Sequence, residues 1–177
     1  MRTAKKIIAI IIAFLAAAAL ASGCTGWGAN SGSNTPSGTD SEAAQLAVSF
    51  AANKYSFKLE DNLELLPPAY VDKYLKDEGI TRDELIEILK NRDLALEYAA
   101  DGLTFVKADA VKVEEMDKSA AKAIGKQYGL NVKAGVNVIV KVTCEKDGER
   151  PVEVMAVPVL KIGNKWYISP EMMTLRG

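Results

Sequence analysis

At Asp101-Gly102 the chain changes texture, from apolar residues three and four apart to apolar residues two apart. No other feature limits the architecture as much. Upstream, Thr81-Arg82-Asp83-Glu84 has the form of a capping box, in which the threonine hydroxyl and the glutamate carboxylate each satisfy a free amide at a helix start. The helix it opens is expected to carry Leu85, Ile88, Leu89 and Leu96 on one stripe. Downstream, Leu103 to Glu114 is β-branched and alternating, with a slip near Lys107 to Asp109 that suggests a bulge. Asn137 to Glu145 alternates cleanly, with Val136, Val138, Val140, Val142 and Cys144 on one parity.

The remaining elements follow from local chemistry. Asp40 and Ser41 offer N-caps for a helix with Ala43, Leu46, Ala47, Phe50 and Ala51 on its buried stripe, ending near Leu59. Leu65-Leu66-Pro67-Pro68 breaks the chain, and proline suits the first turn of a short helix over Pro68 to Glu78 that stops at Gly79. Its expected face is Tyr70, Val71, Tyr74 and Leu75. A further helix spans Ser119 to Tyr128 and ends at Gly129. Asp147-Gly148 is a hairpin turn leading to Val152–Ile162, where Pro158 implies an edge position or a bulge. Gly163-Asn164 then turns into a last strand over Lys165 to Ser169. Three helices, a strand, a helix and a three-strand meander make an α+β domain with an antiparallel sheet.

The first residues of the chain read as an address. Arg2, Lys5 and Lys6 precede 14 apolar residues, Ile7 to Leu20, and no acidic residue occurs before Asp40. As a helix this stretch is roughly 21 Å long, short of the roughly 30 Å of a bilayer core. Small residues at Ala21, Ser22 and Gly23 then lead to Cys24, the layout of a cleavable export signal. The segment resembles the lipobox of bacterial lipoproteins, although Leu20 lies one place upstream of the commonest leucine position and Ala21 fills that slot. The resemblance implies a signal peptide over 1–23, removed between Gly23 and Cys24, and a diacylglyceryl group on the Cys24 thiol. Several acyl chains hold a protein firmly where one does not. The expected location is the extracytoplasmic face of the cell membrane, with the membrane itself as a partner through Cys24.

Residues 24–41 then comprise the lipidated cysteine and a linker dominated by Gly, Ser, Thr and Asn, which cannot bury a core. Trp27, three residues from Cys24, is compatible with a seat among headgroups, where indoles are favoured, and equally with chance placement. The domain proper is assigned to 42–177.

Composition excludes several functions. Histidine is absent, which removes Ser–His–Asp and Cys–His catalysis, His-ligated zinc and imidazole switching within this chain. With Cys24 committed to lipid, Cys144 has no intrachain disulfide partner and reads as a small buried hydrophobe. Residues 24–177 carry 19 basic and 23 acidic side chains, a balance that argues against nucleic acid as a partner. Glu114, Glu115, Asp117, Glu145, Asp147 and Glu149 read as solvated turn residues without calcium-loop spacing, so no metal site and no cofactor are expected. Asp109 faces inward only if its strand slips, and no catalytic residue is assigned.

Two surface features stand out. Trp166 and Tyr167 are adjacent on the last strand, so one faces the core and the other faces away, where it could line a partner surface. Lys118, Lys122 and Lys126 repeat every four residues and should line one helix face, open to solvent or to anionic headgroups and wall polymers. Ala120, Ile124 and Tyr128 are expected to point inward.

The element order over residues 42 to 170 resembles the nuclear transport factor 2-like (cystatin-like) superfamily, a cone in which a curved sheet wraps around helices. The residues that carry it are L-L-P-P-A-Y-V-D-K-Y-L (65 to 75), the capped helix after Gly79 and the closing K-I-G-N-K-W-Y-I (161 to 168). The resemblance implies N-terminal helices packed on a curved antiparallel sheet. Enzymes of this fold, such as ketosteroid isomerase and limonene epoxide hydrolase, work inside the cone with carboxylates, tyrosines or an arginine. The inward parity of the long strands offers Val136, Val138, Val140, Val142 and Cys144, with no acid among them. The expectation is therefore a non-catalytic binding or protein-interaction module at the cell envelope, taking an envelope protein or a small apolar ligand. The alternatives are a small-molecule enzyme using an apolar cone pocket, and a structural accessory of an envelope complex.

Overall fold

The computed structural model describes residues 41–173 together with Gly38 and Leu175. The signal segment, Cys24, Trp27 and the linker as far as Ser37 lie outside the described residues.

The first helix among the described residues, α1 (Glu42–Tyr55), starts where Ser41 Oγ accepts from the Ala44 N–H at 3.3 Å. It ends four residues before the expected limit, because Phe57 takes a left-handed φ of 55° and the chain tightens into a 3-10 turn over Leu59–Leu65. Pro68 opens α2 (Pro68–Glu78), and Gly79 closes it in the left-handed region that suits glycine. In α3 (Arg82–Ala100) the Thr81 Oγ1 accepts from the Glu84 N–H at 3.2 Å, and Glu84 Oε2 accepts from the Thr81 N–H at 2.7 Å. The capping box is therefore complete. Asp101 and Gly102 end the helix with positive φ, where the texture of the sequence changes.

Four strands follow, β1 (Thr104–Glu115), β2 (Val132–Glu145), β3 (Val152–Ile162) and β4 (Lys165–Ile168), with α4 (Lys118–Tyr128) between the first two. They form one antiparallel sheet in the order β1-β2-β3-β4, curled into a half-barrel. The slip in β1 resolves into two register shifts, at Val106 and Val111, which flank the expected region. Asp147 and Gly148 both have positive φ, the signature of a tight two-residue hairpin, and Lys146 and Glu149 exchange hydrogen bonds across it at 2.9 and 3.0 Å. Pro158 occupies an edge in effect. Its carbonyl accepts from Ser169 just past the end of β4, so its missing N–H falls where no strand partner is needed.

The sheet buries its two faces unequally. Val136, Val138, Val140, Val142 and Cys144 point into the concave side with Val157, Val159, Trp166 and Ile168. α1 lies against all four strands there, and its fully buried Ala43, Ala44, Ala47 and Ala51 allow the close approach that lets Phe50 fill the space. β2 begins at Val132 rather than Asn137, and a register shift between Val132 and Ala134 turns Val132 to the other face. There it joins Leu160 and Ala121 beneath α4. A Cβ at Gly125 would come within 2.7 Å of the Leu130 carbonyl oxygen and 2.9 Å of Val132 Cγ2, so α4 rests on β2 with no room to spare.

Two helix faces depart from expectation. In α4 the buried positions are Ala121 and Gly125, flanked by half-buried Ile124 and Tyr128, while Ala120 is exposed. The smallest residues turn inward because the helix backbone sits almost in contact with the strand. In α3, Leu85 and Leu89 are buried, but Ile88 and Leu96 are 40% and 43% exposed. The stripe runs on from Leu89 to Asp93 instead, since residues four apart share a face.

Candidate functional site

A cleft of about 580 Å³ lies between α2, the end of α4 and the segment after β4. Tyr70, Tyr74 and Tyr128 supply its rings. Tyr70 and Tyr128 meet edge to face at 85°, with centroids 5.5 Å apart, the arrangement that aromatic quadrupoles prefer. Tyr74 Oη donates to the Leu175 carbonyl at 2.8 Å and so holds the C-terminal segment in place as one wall. Lys73, Asp77, Lys126 and Glu171 surround the rings. Lys73 and Asp77 pair along α2. Burial raises the Glu171 carboxyl above its ordinary range. The Tyr128 hydroxyl is raised by burial first and by the neighbouring Glu171 second.

This composition suits binding. Rings offer apolar area with a fixed orientation, and charged groups at the rim select what lies along them. Each residue was visible in the sequence, but nothing local announces that Tyr70 and Tyr128, 58 positions apart, share a wall.

A second constellation lies at one end of the concave face. Glu153 pairs with Val142 in the β2–β3 ladder and so shares the inward parity of the valines. The inward surface of the sheet does therefore contain an acid, which corrects the expectation that the long strands present none there. Glu153 stands beside Tyr55, whose hydroxyl is buried and makes no hydrogen bond of good geometry. Burial pushes the Tyr55 phenol far above its ordinary pKa, and the adjacent carboxylate adds to the shift. Lys54 is lowered by burial, with Glu153 opposing. The parity of V-E-V-M-A-V, once registered against β2, is the signal that locates Glu153.

A third group joins α3 to the 3-10 turn. Asp93 is 5% exposed, and its Oδ2 accepts from the Leu59 N–H at 2.6 Å. Asp93 Oδ1 and Glu60 Oε2 are both buried without a donor. Burial, and then the nearby Glu60 carboxyl, raise the Asp93 carboxyl to about 6 against the opposing effects of the Leu59 amide and Arg92.

The residues singled out in the sequence are dispersed. Cys144 is a buried free thiol on the concave face, its pKa raised by burial and then by Glu153. Trp166 is the core aromatic, with Lys161 Nζ 5.4 Å from its ring centroid, and Tyr167 is half-buried on the opposite parity. Asp109 is exposed and paired with Lys107 at 2.8 Å, so it does not face inward. Glu145 pairs with Arg150 at 3.4 Å, and Asp117 caps α4 through the Ser119 N–H at 2.7 Å. Glu114 pairs with Lys112. Lys118, Lys122 and Lys126 are all exposed, and the last reaches the cleft. Among the described residues no group of three or more acidic or cysteine side chains could hold a metal ion, and no helix is long and apolar enough to cross a membrane.

No family model matches the chain, and no curated protein and no solved structure matches it.

Proposed function

We propose that this chain is a lipid-anchored extracytoplasmic protein whose nuclear transport factor 2-like domain acts as a non-catalytic binding module at the cell envelope. The observation that carries the binding role is the placement of open space. α1 packs the concave side of the sheet with Phe50 and four alanines, while the tyrosine-lined cleft opens at the margin of that core, where Met173 and Leu175 form its floor. A cone filled by its own helix favours recognition on the outer surface over chemistry within. The cleft is large enough for a small ligand with an apolar body, or for a short segment of an envelope protein whose polar groups meet Lys73, Lys126, Asp77 or Glu171. The Cys24 lipobox supports the anchor and the address.

The test is a photo-crosslinking amino acid placed at Tyr70 of the full chain in its native cells, with Tyr98, 91% exposed on α3, as the control position. An adduct of defined mass at position 70 and not at 98 is expected. Equal yields at the two positions would sink the binding assignment. An adduct formed instead from position 55 would favour a second reading, an enzyme acting inside the cone, which the buried contact of Tyr55 with Glu153 supports.

A further inference from the structure

From Lys118 to Lys133 the chain carries four lysines and no acidic residue, whereas the remaining residues of 41–173 carry 14 basic and 22 acidic side chains. Three of the four lysines lie on one helix, α4. Lys118, Lys122 and Lys126 recur every four residues along α4, and all four lysines are exposed. None of the four is ion-paired among the described residues. Asp117, which caps α4 through Ser119, and Glu171, beside Lys126 in the cleft, border the face, and the three α4 lysines outnumber them.

The opposite side of α4 packs on Val132 and Leu160, and at Gly125 the helix lies so close to Val132 and the Leu130 carbonyl that a Cβ would not fit. A fixed row of unneutralised lysines on an otherwise acidic body is complementary to a sheet of negative charge. A solvated face alone does not require such segregation.

We infer that the outward face of α4 docks on anionic phospholipid headgroups of the membrane that holds the Cys24 anchor. This rests on the anchored reading given above. Sixteen residues separate Cys24 from Ser41, so the domain can stand at most roughly 60 Å from the bilayer. Tethering makes the contact intramolecular in effect, and a modest attraction per lysine, fading within a Debye length of about 8 Å, is then enough to orient the domain. Lys126 belongs both to this face and to the cleft, so docking would bring one rim of the cleft to the headgroups.

The experiment uses the lipid-anchored protein added to preformed vesicles of phosphatidylcholine, with or without phosphatidylglycerol as roughly a third of the lipid. A brief exposure to an amine-acylating reagent is followed by mass-spectrometric measurement of each lysine. Lys118, Lys122 and Lys126 should acylate about five-fold or more slowly on the anionic vesicles, with Lys58 and Lys90 unchanged. The protection should vanish at high salt, where the Debye length falls to about 3 Å.

Equal acylation on the two vesicle types overturns the inference. Protection over phosphatidylcholine by a soluble glycerol-phosphate polymer, equal to that on the anionic vesicles, overturns the membrane assignment in favour of a wall polymer. Failure to associate with vesicles of either kind shows up before acylation, and it removes the anchored reading together with the docking that depends on it.

Discussion

The Leu59 N–H donates to Asp93 Oδ2 at 2.6 Å, a bond between positions 34 residues apart. It supplies the first free amide of the 3-10 turn with an acceptor from α3, which neighbouring side chains do not provide. The same carboxyl faces Glu60 through Oδ1. Both oxygens are acceptors, so they can bond to one another only through a shared proton. Geometry and burial together make this junction proton-dependent.

Asp93 should therefore impose a pH slope on stability. Its carboxyl titrates at about 6 in the folded chain and at its ordinary value of 3.8 when solvated. Below the lower value both states are protonated and the stabilisation is complete. As pH rises towards 6 the unfolded chain releases its proton first, and the stabilisation is lost. Asp93→Asn keeps an acceptor for Leu59 and gives a donor to Glu60, so it should match or exceed the wild type at neutral pH. Asp93→Ala should lose about 1 to 2 kcal/mol at pH 4.5, where the shared-proton arrangement is intact. Denaturant midpoints at pH 4.5 and 7.5 decide the matter. A wild-type to Asp93→Asn difference that does not change between the two would remove the shared proton from the account.

Gly125→Ala should destabilise the domain by about 1 to 3 kcal/mol, because the new methyl would meet a backbone carbonyl oxygen at 2.7 Å. Ala123→Gly, at an exposed position of the same helix, costs about 1 kcal/mol through propensity alone and serves as the comparison. Thermal unfolding of the two variants should rank Gly125→Ala as the less stable.

What the sequence disclosed and what it concealed divide by the range of the interaction. The Thr81–Glu84 box, the breaks at Gly79 and Asp101-Gly102 and the Asp147-Gly148 hairpin are decided within four or five residues, and each stands in the structure where its local chemistry puts it. Glu153 was hidden because its facing depends on registration with Val142, which the reading of β2 by itself does not supply. Asp93 follows Leu85 and Leu89 at intervals of four, but an aspartate on a buried stripe makes sense only when Leu59 is there to donate. The cleft depends on still longer contacts, Tyr70 with Tyr128 and Tyr74 with Leu175, 101 positions away. Element identity was legible; the site was not, because it exists only where distant helices converge.

Cys144 should be inert in the folded protein. It is 5% exposed, and burial disfavours the thiolate that any thiol reagent attacks. A disulfide reagent at pH 8 should modify it at least about a hundredfold more slowly than in denaturant, the rate then reporting local opening of the sheet. Fast labelling of the native chain would mean that the concave face opens readily at the Glu153 end.

Cys24→Ala is the most direct probe of the address. The two cysteines of the chain have opposite expected fates, one acylated and one a free buried thiol. Intact mass of membrane-extracted wild type should equal residues 24–177 plus acyl chains, with one thiol titrating in denaturant. In Cys24→Ala the acyl mass should disappear, cleavage after Gly23 should fail, and the unfolded protein should still show one thiol. A wild-type chain with two free thiols would sink the anchor and would leave Lys118, Lys122 and Lys126 without a tethered surface to meet. If instead Cys24 is acylated and the lysines acylate equally on both vesicle types, the anchor stands and only the docking falls. The thiol count and the lysine footprint thus separate where the protein is held from how it faces the membrane.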